Sequence, residues 1–189
     1  MKSRNRGRRT GAVVLALCVL ALAAFASSAS AAYQKAKFDK ASVALTTTGL
    51  TLERNGGSAK TCTPKTAISG KVVESSFAMV SAPFGFPVLF ACSGSTELEM
   101  VLYMEAQRDP LTGATRVQLT NNSGSRISPW GSYSAQSPAV PYTNGTGAAT
   151  PSTINFNKTV IGSDGTGNLT LTGTFNVMYN ATETVKIVP

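Results

Sequence analysis

From Lys40 to the C terminus, no stretch places apolar residues three and four apart over three turns, whereas apolar and polar residues alternate almost everywhere. Alternation at period two marks a strand with one buried face, because successive side chains point to opposite sides of a sheet. The clearest example is 168–179. There Leu169, Leu171, Gly173, Phe175 and Val177 share one face, and the other face is polar until Met178. In 96–105, Glu97 and Glu99 face outward opposite Leu98 and Met100. Turn-forming residues separate these runs. Asn55-Gly56-Gly57 reads as a hairpin loop; turns are also expected at 109–113, 121–125 and 163–167.

Strands are therefore predicted near 41–47, 49–54, 58–63, 66–73, 76–81, 87–92, 96–105, 115–120, 153–161, 168–179 and 182–188, some of them merging. So many short strands in one chain predict an all-β protein, an antiparallel β-sandwich of immunoglobulin-like or jelly-roll-like type. The exception is 128–151, which holds Pro129, Pro138, Pro141 and Pro151 and has no period. It is expected to be one long loop, a feature that in compact domains is usually functional or mobile.

The N terminus has a different character. Lys2, Arg4, Arg6, Arg8 and Arg9 precede an apolar run of 15 residues from Ala12 to Ala26, and Ala29-Ser30-Ala31 follows. This is the layout of a secretory signal peptide with a small-residue cleavage site. Residues 1–31 are thus expected to be a leader helix, cut near Ala31/Ala32, and residues 32–189 a single domain. A retained anchor is the competing reading, but 15 residues fall short of the roughly 20 that span a bilayer. Leu17 stands before Cys18 where a lipoprotein signal needs a small residue, and Arg8-Arg9 lacks the apolar sequel of a twin-arginine signal. The expected location is the cell envelope or the exterior, with membrane contact only during export.

Export changes the meaning of the charge. The whole chain has 17 basic and 9 acidic residues, for a net +8. The leader accounts for five of the basic ones, leaving 12 against 9, a net +3. The remaining lysines and arginines are scattered, and a nucleic-acid footprint needs them clustered. No nucleic-acid partner is expected.

Without Cys18 only Cys62 and Cys92 remain, an even number in an oxidising compartment. Only one intrachain pairing is open to them, and a Cys62–Cys92 disulfide is expected. Two free buried thiols are the alternative.

The chemistry is defined by what is missing. The chain has no histidine, which removes Ser-His-Asp and Cys-His arrangements, histidine zinc sites and the commonest neutral-pH base. No phosphate-cradling glycine loop or nucleophile elbow occurs, and no metal or cofactor is expected. Glycoside hydrolysis needs only two carboxyl groups, so Glu97, Glu99, Glu105 and Asp109 are the candidates for carboxylate chemistry. Exposed glutamates on a strand more often protect the sheet from edge pairing.

One positive idea comes from the proline-rich segment, which carries Trp130, the chain's single tryptophan, with Tyr133 and Tyr142. Aromatic rings on a rim can stack on sugars, so these three are the candidate ligand-binding residues. The favoured alternative is that Trp130 caps the core beneath the loop. The apolar Pro83-Phe84-Gly85-Phe86-Pro87 patch is read as a core-plugging turn or a contact surface.

Two resemblances follow from particular residues. Thr61-Cys62-Thr63, Ile68-Ser69-Gly70-Lys71-Val72 and Phe90-Ala91-Cys92-Ser93 together resemble a layout found in small secreted bacterial β-rich proteins of unknown function. The same cysteine pair with 173–179 near the end is similar to fimbrial pilin subunits, which implies an incomplete immunoglobulin-like sandwich that polymerises by strand donation. Ten residues follow Tyr179 in this chain, where pilins stop. The expected function is a secreted, non-enzymatic envelope, structural or binding protein, with a glycan or envelope proteins as candidate partners. A pilus or adhesin-like subunit, and a carbohydrate-binding or carboxylate-based glycan-active protein, are the alternatives.

Overall fold

The structure, a computed structural model, describes residues 32–81, 88–100, 102–121, 126–128, 131–163 and 165–189. The expected leader, the 83–87 patch and Trp130 lie outside these residues. Alternation becomes strand over most of the predicted runs. In chain order the strands are β1 (Gln34–Lys35), β2 (Lys37–Phe38), β3 (Ser42–Arg54), β4 (Lys60–Pro64), β5 (Ile68–Glu74), β6 (Phe77–Ser81), β7 (Val88–Cys92), β8 (Thr96–Met100) and β9 (Leu102–Arg108). They continue as β10 (Thr115–Asn121), β11 (Arg126–Ser128), β12 (Gly131–Ser132), β13 (Ser134–Ala135), β14 (Ala139–Thr143), β15 (Ser152–Ser163), β16 (Asn168–Met178) and β17 (Ile187–Val188). The chain is all-β and its pairings are antiparallel.

The long strand β3 organises the sheet. One edge pairs with β16. The other edge pairs with β5 at its N-terminal end, Ser42 opposite Lys71 and Leu45 opposite Ile68, and with β4 at its C-terminal end, Thr51 opposite Thr61. From β5 the pairing runs through β6, β9, β10, β14, β15 and β16 and so returns to β3. The sheet curls until it meets itself. A second arm of β4, β7, β8, β11 and β12 leaves the C-terminal end of β3 and repeats the same neighbour relations. Hairpin follows hairpin: the β3–β4 turn has φ 54° at Asn55 and 68° at Gly56, and Gly57 N donates to Arg54 O at 2.9 Å. Two successive left-handed residues at the centre of this turn match the right-handed twist of the flanking strands.

Inward residues of the ring include Leu45, Ile68, Met104, Val117, Val140, Ile154 and Val177, all buried. Facing walls meet through aromatic rings. Phe90 on β7 lies edge-on to Phe175 on β16 at 6.3 Å, and Phe156 on the adjacent strand β15 packs edge-on to the same ring at 5.5 Å. Cys62 and Cys92 stand opposite each other on β4 and β7 and form the expected disulfide.

The proline-rich segment, expected as one long loop, contains β14, paired to β10 and then to β15. Leu119 N donates to Pro138 O at 2.9 Å, which makes 138, 140 and 142 the hydrogen-bonded positions facing β10. Pro141 falls between them with its nitrogen turned away, and β15 pairs only from Tyr142 onward. Pro141 is therefore not asked for a donor it lacks, and Pro138, just before β14, contributes its carbonyl alone to the ladder. At the C terminus, the expected 182–188 strand reduces to Ile187–Val188, paired with β2. The expected 96–105 strand is divided into β8 and β9, which belong to different arms.

One end of the ring is sealed by both chain segments, with Ala36, Phe38, Val185 and Ile187 all buried. Each large apolar side chain buried contributes about 1.5–3 kcal/mol, against about 1–2 kcal/mol for ordering each backbone residue. Alternate burial alone therefore comes out near break-even for this strap. Its hydrogen bonds decide the matter: Asn144 Nδ2 donates to Ile187 O at 2.9 Å, and Ile187 N donates to Asn144 Oδ1 at 2.8 Å.

Candidate functional site

Of the aromatic residues singled out by sequence, Trp130 lies outside the described residues, and Tyr133 and Tyr142 present no open ring. Tyr133 is only 7% exposed, and its ring lies on the Gly162 backbone where a β-carbon would otherwise sit. Tyr142 is 3% exposed and its hydroxyl donates to Val185 O at 2.7 Å. Burial holds that hydroxyl's pKa well above the ordinary tyrosine range. Tyr133 sits beside Gly162, whereas Tyr142 pairs with Ile154, eight residues away along β15. That is roughly 25 Å at the rise of a strand. Sugar stacking needs open rings close together, and these two tyrosines instead fill the core. The sequence pattern could not say so, because the loop expected there is partly strand.

Three of the four candidate carboxylates are engaged locally. Glu97 pairs with Lys65, and Glu105 with Lys35 at 2.7 Å. Glu97 and Glu99 do share the outer face of β8, opposite buried Leu98 and Met100. Asp109 is 2% exposed and shapes the β9–β10 turn: its carboxylate accepts from the Thr112 hydroxyl and from Leu111 N at 2.9 Å. The Thr112 hydroxyl, followed by the Leu111 amide, holds the Asp109 carboxyl below its usual pKa. A carboxylate stabilised in its charged form by a turn is a poor proton donor. Among the described residues, no three His, Cys, Asp or Glu side chains gather to hold a metal ion.

A different place on the surface is concave. On the outer face of β3 and β16, Thr46 stands opposite Asn176 and Ala44 opposite Met178. These four form the floor of a cleft of about 370 Å³, with Ala148 and Pro151 on one rim and Asn180 and Ala181 on the other. The size falls within the roughly 300–1,000 Å³ common for ligand sites. Both rims are fixed by their own hydrogen bonds. Asn180 Oδ1 accepts from Thr182 N at 2.9 Å and Glu183 N at 2.8 Å. Thr146 N donates to Thr150 O at 2.8 Å, and Ala148 N reaches across to Thr182 O at 3.2 Å. Buried Ser152 anchors the base of the first rim: its Oγ accepts from Gly145 N at 2.8 Å, and its own N donates to Thr184 Oγ1 at 2.6 Å.

Charge is kept to the neighbouring cleft of about 160 Å³, which Asp39, Lys40, Glu183 and Lys186 line with three threonines. There Lys40 is paired with Glu183 at 3.5 Å, and Asp39 Oδ1 accepts from Lys186 N at 2.7 Å. Sequence reasoning missed the larger cleft. Its one legible sign is Met178, an apolar residue at an outward position of β16. The chain matches no protein-family model, and neither a curated protein nor a solved structure is similar to it.

Proposed function

We propose that this chain is exported and serves as a non-enzymatic envelope or extracellular protein with a structural or binding role. In this reading residues 1–31 are the leader helix, shed near Ala31/Ala32. The walls that meet through Phe90 and Phe175 then act as the two layers of a sandwich, immunoglobulin-like or jelly-roll-like in packing though its strands follow one another as a meander. The observation that carries the reading is the buried Cys62–Cys92 bond, since such bonds persist in oxidising compartments and are rare in reducing ones. The local engagement of Glu97, Glu105 and Asp109 supports a role other than carboxylate catalysis. The pilin-like alternative is less well supported, because β3 is already paired on both edges and strand donation needs a vacant one.

The test is expression of the full chain in a bacterial secretion host. The expected product is recovered outside the cytoplasm, begins near Ala32 and has no alkylatable thiol at Cys62 or Cys92. Intact polypeptide in the cytosol with both thiols free would overturn the reading.

A further inference from the structure

We propose that the uncharged cleft over Ala44 and Met178 binds a neutral glycan. The extracellular reading supplies the source of such a ligand; the cleft itself stands apart from that reading. Its lining divides as a sugar ring does. Ala44, Met178 and Pro151 offer an apolar surface for the C–H face of a pyranose, while Thr46 and Asn176 offer hydroxyl and amide groups to its edge. A charged ligand would find no counter-ion on this lining, whereas a neutral polyol needs none.

Beyond the cleft the outer face keeps the same chemistry. Thr48 stands opposite Thr174, which stands opposite Asn155, and Thr51 stands opposite Thr172. Neighbouring strands lie about 4.8 Å apart and alternate residues along a strand about 6.7 Å apart, so donors and acceptors recur at intervals that a linear polyol can follow. Thr174 Oγ1 already donates to Asn155 Oδ1 at 3.0 Å, which fixes part of this row in place. The cleft anchors one sugar, and the Thr/Asn row guides the chain that leaves it. Rims held by their own hydrogen bonds reduce the ordering cost of binding.

The test is ¹⁵N NMR titration of the protein as recovered from cells, with or without residues 1–31. The probes are neutral tetrasaccharides of β-1,4-glucose, β-1,4-N-acetylglucosamine and α-1,4-glucose, beside a charged oligouronide. The expected result is saturable shifts of the Asn176 side-chain amide and of the Thr46 and Ala148 backbone amides with at least one neutral probe. Ala44→Trp, which fills the cleft, should abolish them. Asn176→Asp, which keeps the shape but adds a charge and removes a donor, should weaken binding about tenfold, the worth of one good hydrogen bond. Asn176→Asp decides alone if Ala44→Trp does not fold. The proposal is overturned if no neutral probe shifts these signals, if only the oligouronide does, if Asn176→Asp binds as well as the parent, or if the signals move with protein concentration alone because a second copy covers the cleft. A failed titration on exported, disulfide-bonded protein would leave the extracellular reading standing. Binding by protein found only in the cytosol would do the reverse.

Discussion

Gly173 of β16 lies against Gly49 of β3 so closely that a β-carbon on Gly173 would stand 2.8 Å from the Gly49 carbonyl oxygen. The contact marks a level at which three strands bend together. The β16–β3 register shifts between Thr172 and Thr174, and the β15–β16 register shifts between Phe156 and Thr159. Each shift is a bulge, which sharpens local twist while allowing the strand to go on presenting its apolar face inward. Val43 and Leu45 are buried before the β3 bulge, and Leu50 and Leu52 after it. The curl that brings β3 back to β5 is built here.

Gly173→Ala should lower stability by about 2–3 kcal/mol, the cost of an L-residue in a backbone region it rarely adopts, because φ is 133° and the intruding methyl meets backbone. Gly49→Ala should cost only about 1–2 kcal/mol, the left-handed penalty alone, since its φ is 62° and nothing lies within 4 Å of the added carbon. Urea denaturation of the two variants measures the difference. Equal losses would mean that the close approach to Gly49 does not constrain the fold.

Replacing both Cys62 and Cys92 by alanine should cost about 3–4 kcal/mol, the loop-closure value for their separation of 30 residues. Register between β4 and β7 should survive, because Thr63 and Ala91 remain paired. Denaturation midpoints with and without reductant would check the size of the effect, and the double variant should be indifferent to reductant.

Asp109 makes stability depend on acid. Its carboxyl titrates lower in the folded chain than the ordinary value of 3.8, so its contribution is complete above that value and is lost as pH falls through the folded one. Asp109→Asn, which can still accept from Leu111 but does not titrate, should be less stable than the parent at neutral pH. The gap between them should narrow as the solution is acidified below about pH 4. Thermal melts of both proteins from pH 7 to pH 2 would reveal a gap that fails to close.

Tyr142 should act at the alkaline end. Burial raises its pKa, so the unfolded chain releases the phenolic proton first and stability falls as pH rises past the ordinary value of 10. Tyr142→Phe should cost about 1 kcal/mol at neutral pH, because Val185 O loses its donor. It should also flatten the alkaline decline. Melting curves across pH 8 to pH 11 test both expectations, and an unchanged alkaline slope would assign that decline to other groups.

Much of this protein could be read locally. Alternation identified β3, β5, β7, β10, β15 and β16, and for β8 and β16 it told which side faces inward, because one face of a strand meets water and the other the core. Asn55-Gly56 announced its hairpin through backbone torsions that few other residues adopt, and two remaining cysteines allowed a single intrachain bond. None of this states which distant strand will pair with which. Closure of β3 onto both β5 and β16 depends on curvature accumulated through bulges at Gly49 and Lys158, and a bulge changes no side-chain type. Pro138 and Pro141 argued for a loop, and only the register of β14 against β10 revealed that Pro141 turns its nitrogen away and that Pro138 lies just before the strand. Tyr133 and Tyr142 were legible as aromatic residues, but their burial came from Gly162 and Val185. The cleft joins residues near 44, 148, 176 and 180 that share no local pattern, so only the tertiary structure could bring them together.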